Sequence, residues 1–272
     1  MGRVFCQEGF LRMISILDRI AESFGAAARE AVERMGSISI FFFKILQAMP
    51  SSFRRYHLLT EQMMLLGVAS IPIVLLTSVF VGAVSAWQVQ YIFGDAIPIT
   101  YLGAGVAKAV LTELGPVLTA LVITGRVGAK LAAELGTMKV TEQVDAMTCL
   151  SLNPFTFLLA PRLVASCVMV PILTIFSVFF AIISAQLLSQ FALGLSFTAF
   201  YQGVRILFKV QDVIVCMAKS FVFGGVISLA GCYYGFYAKG GAVGVGVSTK
   251  KAVVAAMVMV LISNLVLVNL LL

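Results

Sequence analysis

Long uncharged runs of apolar residues constrain the fold of this chain more than any other feature. No charged residue lies between Glu61 and Asp95, between Arg162 and Arg205, or after Lys251. A helix that crosses a bilayer needs roughly 20 mostly apolar residues, and each run is long enough. Charged residues make up 11% of the chain, against about a quarter in a typical soluble domain. The sequence therefore predicts a membrane protein and excludes a soluble or disordered one.

The apolar runs predict an all-α polytopic membrane protein with five transmembrane helices. We place the spans at about 63–93, 99–125, 160–191, 212–238 and 251–272, within a membrane domain of 59–272. Residues 1–58 form a separate N-terminal region, in which apolar side chains recur at helical spacing over 10–24. Such an amphipathic helix would lie in the membrane interface or pack against the bundle. Residues 38–49 predict a second, shallow or re-entrant piece that is too short to span.

Basic residues are distributed unequally between the two sides of these spans. Fifteen of the 19 Lys and Arg residues flank the side that holds the N-terminus, and only Arg205 and Lys209 fall on the other side. The positive-inside rule then places the N-terminus in the cytoplasm. An odd number of spans places the C-terminus outside. The net charge of +7 marks this topology and does not indicate a nucleic-acid partner.

The chain shows no pattern for metal binding or nucleotide hydrolysis. Its single histidine, His57, cannot form a multi-histidine metal site. Glycines at 240, 241, 244 and 246 superficially resemble a phosphate loop, but Val247 stands where the motif requires lysine. The sequence predicts no catalytic site and no bound cofactor. Energy for transport would come from a partner or from an ion gradient.

Three charged residues lie inside predicted spans and away from the span ends, and charges within the membrane are functional candidates by default. They are Lys108, Glu113 and Lys219. Pro116 crowds the carbonyl of Thr112, so we expect a helix kink that opens the backbone beside Glu113. The alternative is that Glu113 pairs with Lys219 or Lys108 only to neutralise a buried charge.

The segment between spans two and three differs from a plain connector. Residues 127–150 predict a helix with an apolar stripe, which Asn153 and Pro154 terminate. Such a helix suits docking into a groove of a soluble partner, or it rests on the membrane surface. In span four, Gly231 and Gly235 permit close helix approach, within one subunit or across a dimer.

These segments together resemble the MlaE-type permease subunits of ABC transporters that work with MCE proteins in lipid traffic. The first block of motifs is ELGPVLTAL at 113–121, GRVGA at 125–129, AELGTM at 133–138, TEQVDAM at 141–147, NP at 153–154 and APR at 160–162. The second block is KS at 219–220, FG at 223–224, GGAVGVG at 240–246 and Thr249. The likeness extends from about residue 59 to the end of the chain.

The resemblance implies a homodimeric permease in the bacterial inner membrane. Its implied partners are an ABC ATPase subunit that binds the ATP, an outer ring of MCE-domain subunits, a small accessory cytoplasmic subunit, and phospholipid as substrate. It makes 127–150 the coupling helix, and the implied ATPase contacts on this helix are Glu134, Met138, Glu142 and Asp145. It places Ile92 and Phe93 in an apolar cavity wall, with Lys108, Glu113 and Lys219 near the lipid path.

Two positions depart from the family pattern. Thr112 stands where some members carry arginine, and Asn264 stands where an acid often occurs. We therefore expect neither an Arg–Glu pair at 112–113 nor an acidic partner for Lys219 at 264. Two other functions remain open from the residues alone. One is a stand-alone secondary transporter or channel coupled through Glu113 and Lys219, and the other is a structural anchor for an outer assembly.

Overall fold

The computed structural model describes residues 29, 33, 36–50, 56–93, 98 and 101–271, without the side chain of Phe93. The chain divides into two compact units, Met1–Lys44 and Ile45–Leu272. In the first unit, exposed Arg29 and Glu33 form an ion pair of 3.0 Å one helical turn apart. The predicted amphipathic segment over 10–24 lies outside the described residues.

The described residues fold into helices. The first described helix, α1 (Gly36–Pro50), is short and apolar. The other α-helices are α2 (Tyr56–Leu66), α3 (Ile71–Phe93), α4 (Tyr101–Ala109), α5 (Gly115–Ile123), α6 (Ala129–Val140), α7 (Gln143–Cys149), α8 (Ala160–Leu193), α9 (Phe197–Leu207), α10 (Val210–Phe236) and α11 (Gly241–Leu271).

Five helical stretches in the described part of the chain are long and apolar enough to cross a membrane, which confirms the predicted all-α architecture. They are Tyr56–Ile92, Tyr101–Val140, Phe155–Leu193, Val210–Phe236 and Gly241–Leu271. Several exceed the predicted lengths. The last begins at Gly241 rather than at 251, because the glycine-rich segment turns the chain at Gly240 (φ 92°) and then continues as helix.

Span two is one helix that runs on beyond the membrane segment. Two π turns, Val110–Leu114 and Thr124–Gly128, join α4, α5 and α6 without a break. The prediction of one separate helix over 127–150 is therefore wrong. The helix ends at Val140 because Glu142 adopts a left-handed conformation (φ 61°), and α7 starts afresh at Gln143.

Helices α8 and α10 form the centre of the bundle, where α8 contacts α2, α3, α5 and α10. The two glycines of α10 face α6 within the same chain. A Cβ on Gly235 would lie 2.9 Å from the carbonyl oxygen of Ala132, and one on Gly231 would lie 3.0 Å from Cβ of Leu131. The two glycines therefore permit close packing of α10 against α6 in the same chain. Of the two alternatives that their spacing left open, this is the approach within one subunit.

Candidate functional site

Two ion pairs connect span two to α10 inside the membrane segment. Nζ of Lys219 lies 2.6 Å from Oε1 of Glu113. Nζ of Lys108 lies 2.6 Å and 2.7 Å from the carboxylate oxygens of Asp212. The structure therefore pairs all three charged residues that the sequence singled out, Glu113 and Lys219 with each other and Lys108 with Asp212.

The backbone beside Glu113 departs from α-helical geometry. Pro116 has no N–H to offer to the Thr112 carbonyl four residues earlier, and the segment Val110–Leu114 is a π turn. Nζ of Lys219 donates a hydrogen bond of 2.9 Å to this carbonyl oxygen. The same ammonium group thus binds both the acid and the backbone next to it.

Asn264 of α11 completes this cluster, which consists of Thr112, Glu113, Lys219 and Asn264. Its Nδ2 donates to Oε2 of Glu113 at 3.0 Å. Asn264 therefore binds the carboxylate of Glu113 and does not take the place of an acidic partner for Lys219. Each oxygen of Glu113 has its own donor, one from α10 and one from α11.

The two side chains of the Glu113–Lys219 pair differ in their exposure. The Lys219 side chain is fully buried, whereas that of Glu113 is 38% exposed. Both Lys219 and Lys108 donate to carboxylates in this conformation. The Lys108 side chain, outside this cluster, is 37% exposed. Within the cluster, Glu113 is the accessible charge.

Asp212 is a functional candidate that the sequence analysis missed. Its side chain is 5% exposed and lies in the first turn of α10, at the start of predicted span four. A signal was available, since Asp212 is the only acidic residue after Asp145 in the whole chain. A single acid beside a membrane span calls for a basic partner.

An apolar cavity of about 510 Å³ lies between α3 and span two. Its lining residues are Phe80, Val81, Val84, Ser85, Gln88, Val89, Ile92, Ala109, Leu114 and Leu118. Ile92, predicted to form a cavity wall, is among them, and the Phe93 side chain lies outside the described residues. The hydroxyl of Ser85 donates a hydrogen bond to the Val81 carbonyl. Gln88 is the other polar side chain in this wall.

A second cavity, of about 410 Å³, opens where α6 meets α7. We call it the α6–α7 cleft, and its lining residues are Ala133, Glu134, Thr137, Met138 and Gln143. It brings together Glu134 and Met138, two of the four predicted ATPase contacts. Glu142 is exposed at the break between the helices. Asp145 lies apart from the cleft lining and pairs with Lys139 at 2.7 Å.

Buried Arg162 holds the end of α6 that carries this cleft. Its Nη2 lies 3.4 Å from Oε2 of Glu134, and its side chain, on the first turn of α8, is 5% exposed. Lys130 approaches the other carboxylate oxygen of Glu134 at 3.7 Å. The sequence analysis missed this contact, because a pair 28 residues apart becomes visible only when the helices are packed.

The five apolar helices define a multi-pass membrane protein. Ion pairs connect two of the helices, and a polar cleft lies near the end of the helix Tyr101–Val140. The family description "Permease MlaE" matches residues 59–270. The chain belongs to the MlaE family of ABC transporter permeases, which confirms the resemblance seen in the sequence.

Relatives from bacteria and a plant cover most of the chain. A probable ABC transporter permease protein of Rickettsia felis is 35% identical, over 92% of this chain and 96% of its own length. The probable ABC transporter permease protein slr1045 of Synechocystis is 42% identical over 75% of this chain and 78% of its own. Protein TRIGALACTOSYLDIACYLGLYCEROL 1, chloroplastic, of Arabidopsis thaliana is 38% identical over 76% of this chain and 59% of its own.

Proposed function

We propose that this permease moves phospholipid or a related lipid, driven by ATP hydrolysis on a separate ATPase subunit. One observation supports both halves of the proposal. The continuous helix Tyr101–Val140 lines the apolar cavity at Ala109, Leu114 and Leu118 and carries the α6–α7 cleft at its far end. A movement of this helix at the cleft would therefore displace the cavity wall.

Lipid suits the cavity between α3 and span two by its chemistry. The lining is apolar apart from Ser85 and Gln88, so it favours hydrocarbon chains over a polar solute. The name of the Arabidopsis relative contains a glycerolipid. We assign Ile92 and Phe93 to the wall that contacts the acyl chains. Glu113 belongs to the same π turn as the cavity residue Leu114.

The α6–α7 cleft is our candidate for ATPase docking. The exposed acid Glu142 lies beside it, whereas Glu134 of its lining is paired with Arg162 and Lys130. Met138 adds an adaptable apolar surface. Asp145 contributes less charge, because Lys139 binds it within the chain. These residues would fit a partner groove that is apolar at its base and basic at its edge.

The assembly that we propose follows the family likeness. Two copies of the chain form a homodimer in a bacterial inner membrane, with the N-terminus in the cytoplasm and the C-terminus in the periplasm. The ATPase and a small accessory subunit bind on the cytoplasmic side, and a ring of MCE-domain subunits receives or delivers the lipid outside. This chain binds no cofactor, and ATP resides on the partner. The basic excess on the cytoplasmic side supports this orientation.

Charge reversal at the exposed Glu142 tests the docking assignment. Glu142→Lys should sharply reduce copurification of the ATPase subunit while leaving the permease folded, since the side chain lies on the surface. Glu61→Lys, an equal charge change at an exposed position of α2, is the matched control. Equal ATPase recovery with both variants would overturn the docking site.

The stand-alone transporter coupled through Glu113 and Lys219 makes the opposite prediction about energy. It would move its substrate without an ATPase partner, driven by an ion gradient. Membership among ABC transporter permeases supports the ATP-driven function. Transport assayed with and without the ATPase subunit, in the presence of an imposed proton gradient, separates the two.

A further inference from the structure

The two basic residues assigned to the side opposite the N-terminus lie close together in sequence. Arg205 is in the last turn of α9, and Lys209 precedes the first residue of α10. Both side chains are exposed. Within the described residues neither forms an ion pair. Two unpaired cations therefore stand at the end of the bundle opposite α6 and α7.

An apolar groove of about 240 Å³ is lined in part by the chain neighbours of these cations. Its lining residues are Leu111, Ile175, Val178, Phe179, Ile182, Val204, Phe208, Val213, Cys216 and Met217. Val204 and Phe208 directly precede Arg205 and Lys209 in the chain, so both cations are attached beside this part of the groove. Ile175 is 18 residues before the end of α8 at Leu193, which is about 27 Å along the helix axis.

Helix α9 has the character of a helix that lies in a membrane interface. Ser196 caps its start by accepting a hydrogen bond of 3.3 Å from the Ala199 N–H. Phe200 and Gly203 are buried against the bundle, while Phe197 and Ile206 expose apolar side chains. An amphipathic helix with this pattern places its cations at headgroup depth and its apolar groups among acyl chains.

We infer that the groove between α8, α9 and α10 binds one anionic membrane phospholipid. Its phosphate bonds to Arg205 and Lys209, and one acyl chain follows the groove towards Ile175. Charged headgroup ligands above an apolar channel match the build of a phospholipid from headgroup to tail. The groove shares no lining residue with the cavity next to α3, so this site is separate from the proposed transport path.

The site adjoins the buried polar cluster. Leu111 lines the groove and belongs to the π turn that holds Glu113. Cys216 lines it from α10, one turn before Lys219. A bound acyl chain would therefore contact the backbone segment whose geometry depends on the Glu113–Lys219 pair.

A tryptophan reporter tests the site in the full-length protein. The chain has one tryptophan, Trp87, so Trp87→Phe with Phe208→Trp places the only reporter in the groove. The protein is reconstituted in vesicles with either brominated phosphatidylglycerol or brominated phosphatidylcholine, and quenching is compared. The control reporter is Phe191→Trp in the same Trp87→Phe background, at an exposed position near the end of α8 and outside the groove lining.

We expect phosphatidylglycerol to quench the groove reporter at lower mole fraction than phosphatidylcholine, by roughly fivefold for each cation. The control reporter should show no such preference. Arg205→Gln with Lys209→Gln should abolish the preference, while Lys250→Gln with Lys251→Gln, an equal charge loss elsewhere, should preserve it.

Three results would overturn the lipid site. They are equal quenching by both lipids, the same preference at both reporters, and a preference that survives removal of Arg205 and Lys209. A different result would be loss of a copurifying protein on Arg205→Gln with Lys209→Gln, together with no lipid preference at the groove reporter. In that case the cations contact a protein and the lipid site is wrong.

Discussion

The ammonium group of Lys219 lies 2.6 Å from Glu113 and 2.9 Å from the Thr112 carbonyl, with no part of the lysine side chain exposed. A buried cation of this kind is stable only while its partners remain, because an uncompensated charge in a low-dielectric interior is costly. The pair therefore holds α10 against the π turn of span two. This dependence leads to a direct test.

Removing the acid should be more damaging than removing both charges. Glu113→Gln leaves Lys219 buried without a counter-charge and should lower the free energy of unfolding by about 3–5 kcal/mol. The double variant Glu113→Gln with Lys219→Met should recover most of that loss. Denaturant unfolding in detergent micelles, followed by helical circular dichroism, measures both. Additive losses in a double-mutant cycle would show that the two residues are not coupled.

Asn264 should tolerate an apolar residue better than an acid. Asn264→Leu removes one hydrogen bond to Glu113 and should cost about 1 kcal/mol of unfolding free energy. Asn264→Asp places a second carboxylate against Oε2 of Glu113 and should cost more, because like charges repel at this distance. The same unfolding assay ranks the two variants. The reverse order would contradict the assigned contact.

Glycine substitutions should separate helix packing from helix propensity. Gly235→Ala forces a Cβ to within 2.9 Å of Ala132 and Leu135, so we expect a loss of about 1–3 kcal/mol. Gly246→Ala, in α11, meets nothing within 4 Å and should raise stability by about 0.5–1 kcal/mol. Thermal unfolding of both variants checks the prediction. Similar midpoints would show that α10 is not pressed against α6.

Filling the cavity next to α3 should impair lipid movement and leave docking intact. Val84 lines the cavity, so Val84→Trp should lower the transport rate roughly tenfold, which corresponds to about 1.4 kcal/mol of lost binding. Leu76→Trp, at an exposed position of the same helix outside the lining, should retain the rate. ATPase copurification should be equal for both. A normal rate with Val84→Trp would exclude the cavity from the lipid path.

The number and class of the spans could be predicted because they depend on local composition. Uncharged runs of this length have no other stable environment, and the scarcity of charge made Lys108, Glu113 and Lys219 visible. Pro116 also drew attention to the Thr112 carbonyl, where a lysine from α10 now donates. These features follow from residues that are near one another in sequence.

The remaining features depend on packing between distant segments. Asp212 and Arg162 gain their roles from partners 104 and 28 residues away, respectively. The isolation of Asp212 among the acids marks it as a candidate, but no local pattern names either partner. The break at Glu142 occurs without glycine or proline, so propensity alone predicts a continuous helix there. Conversely, the glycine-rich start of α11 forms helix because its apolar length continues through it.

We propose that a separate ATPase drives lipid movement through this permease by docking at the α6–α7 cleft. Transfer of fluorescent phospholipid in proteoliposomes that contain the assembled complex is the test of this coupling. We expect transfer that requires ATP and the ATPase subunit, is lost with Glu142→Lys, and persists with Glu61→Lys. Transfer that proceeds at the same rate without ATP, or that is unaffected by Glu142→Lys, would contradict it.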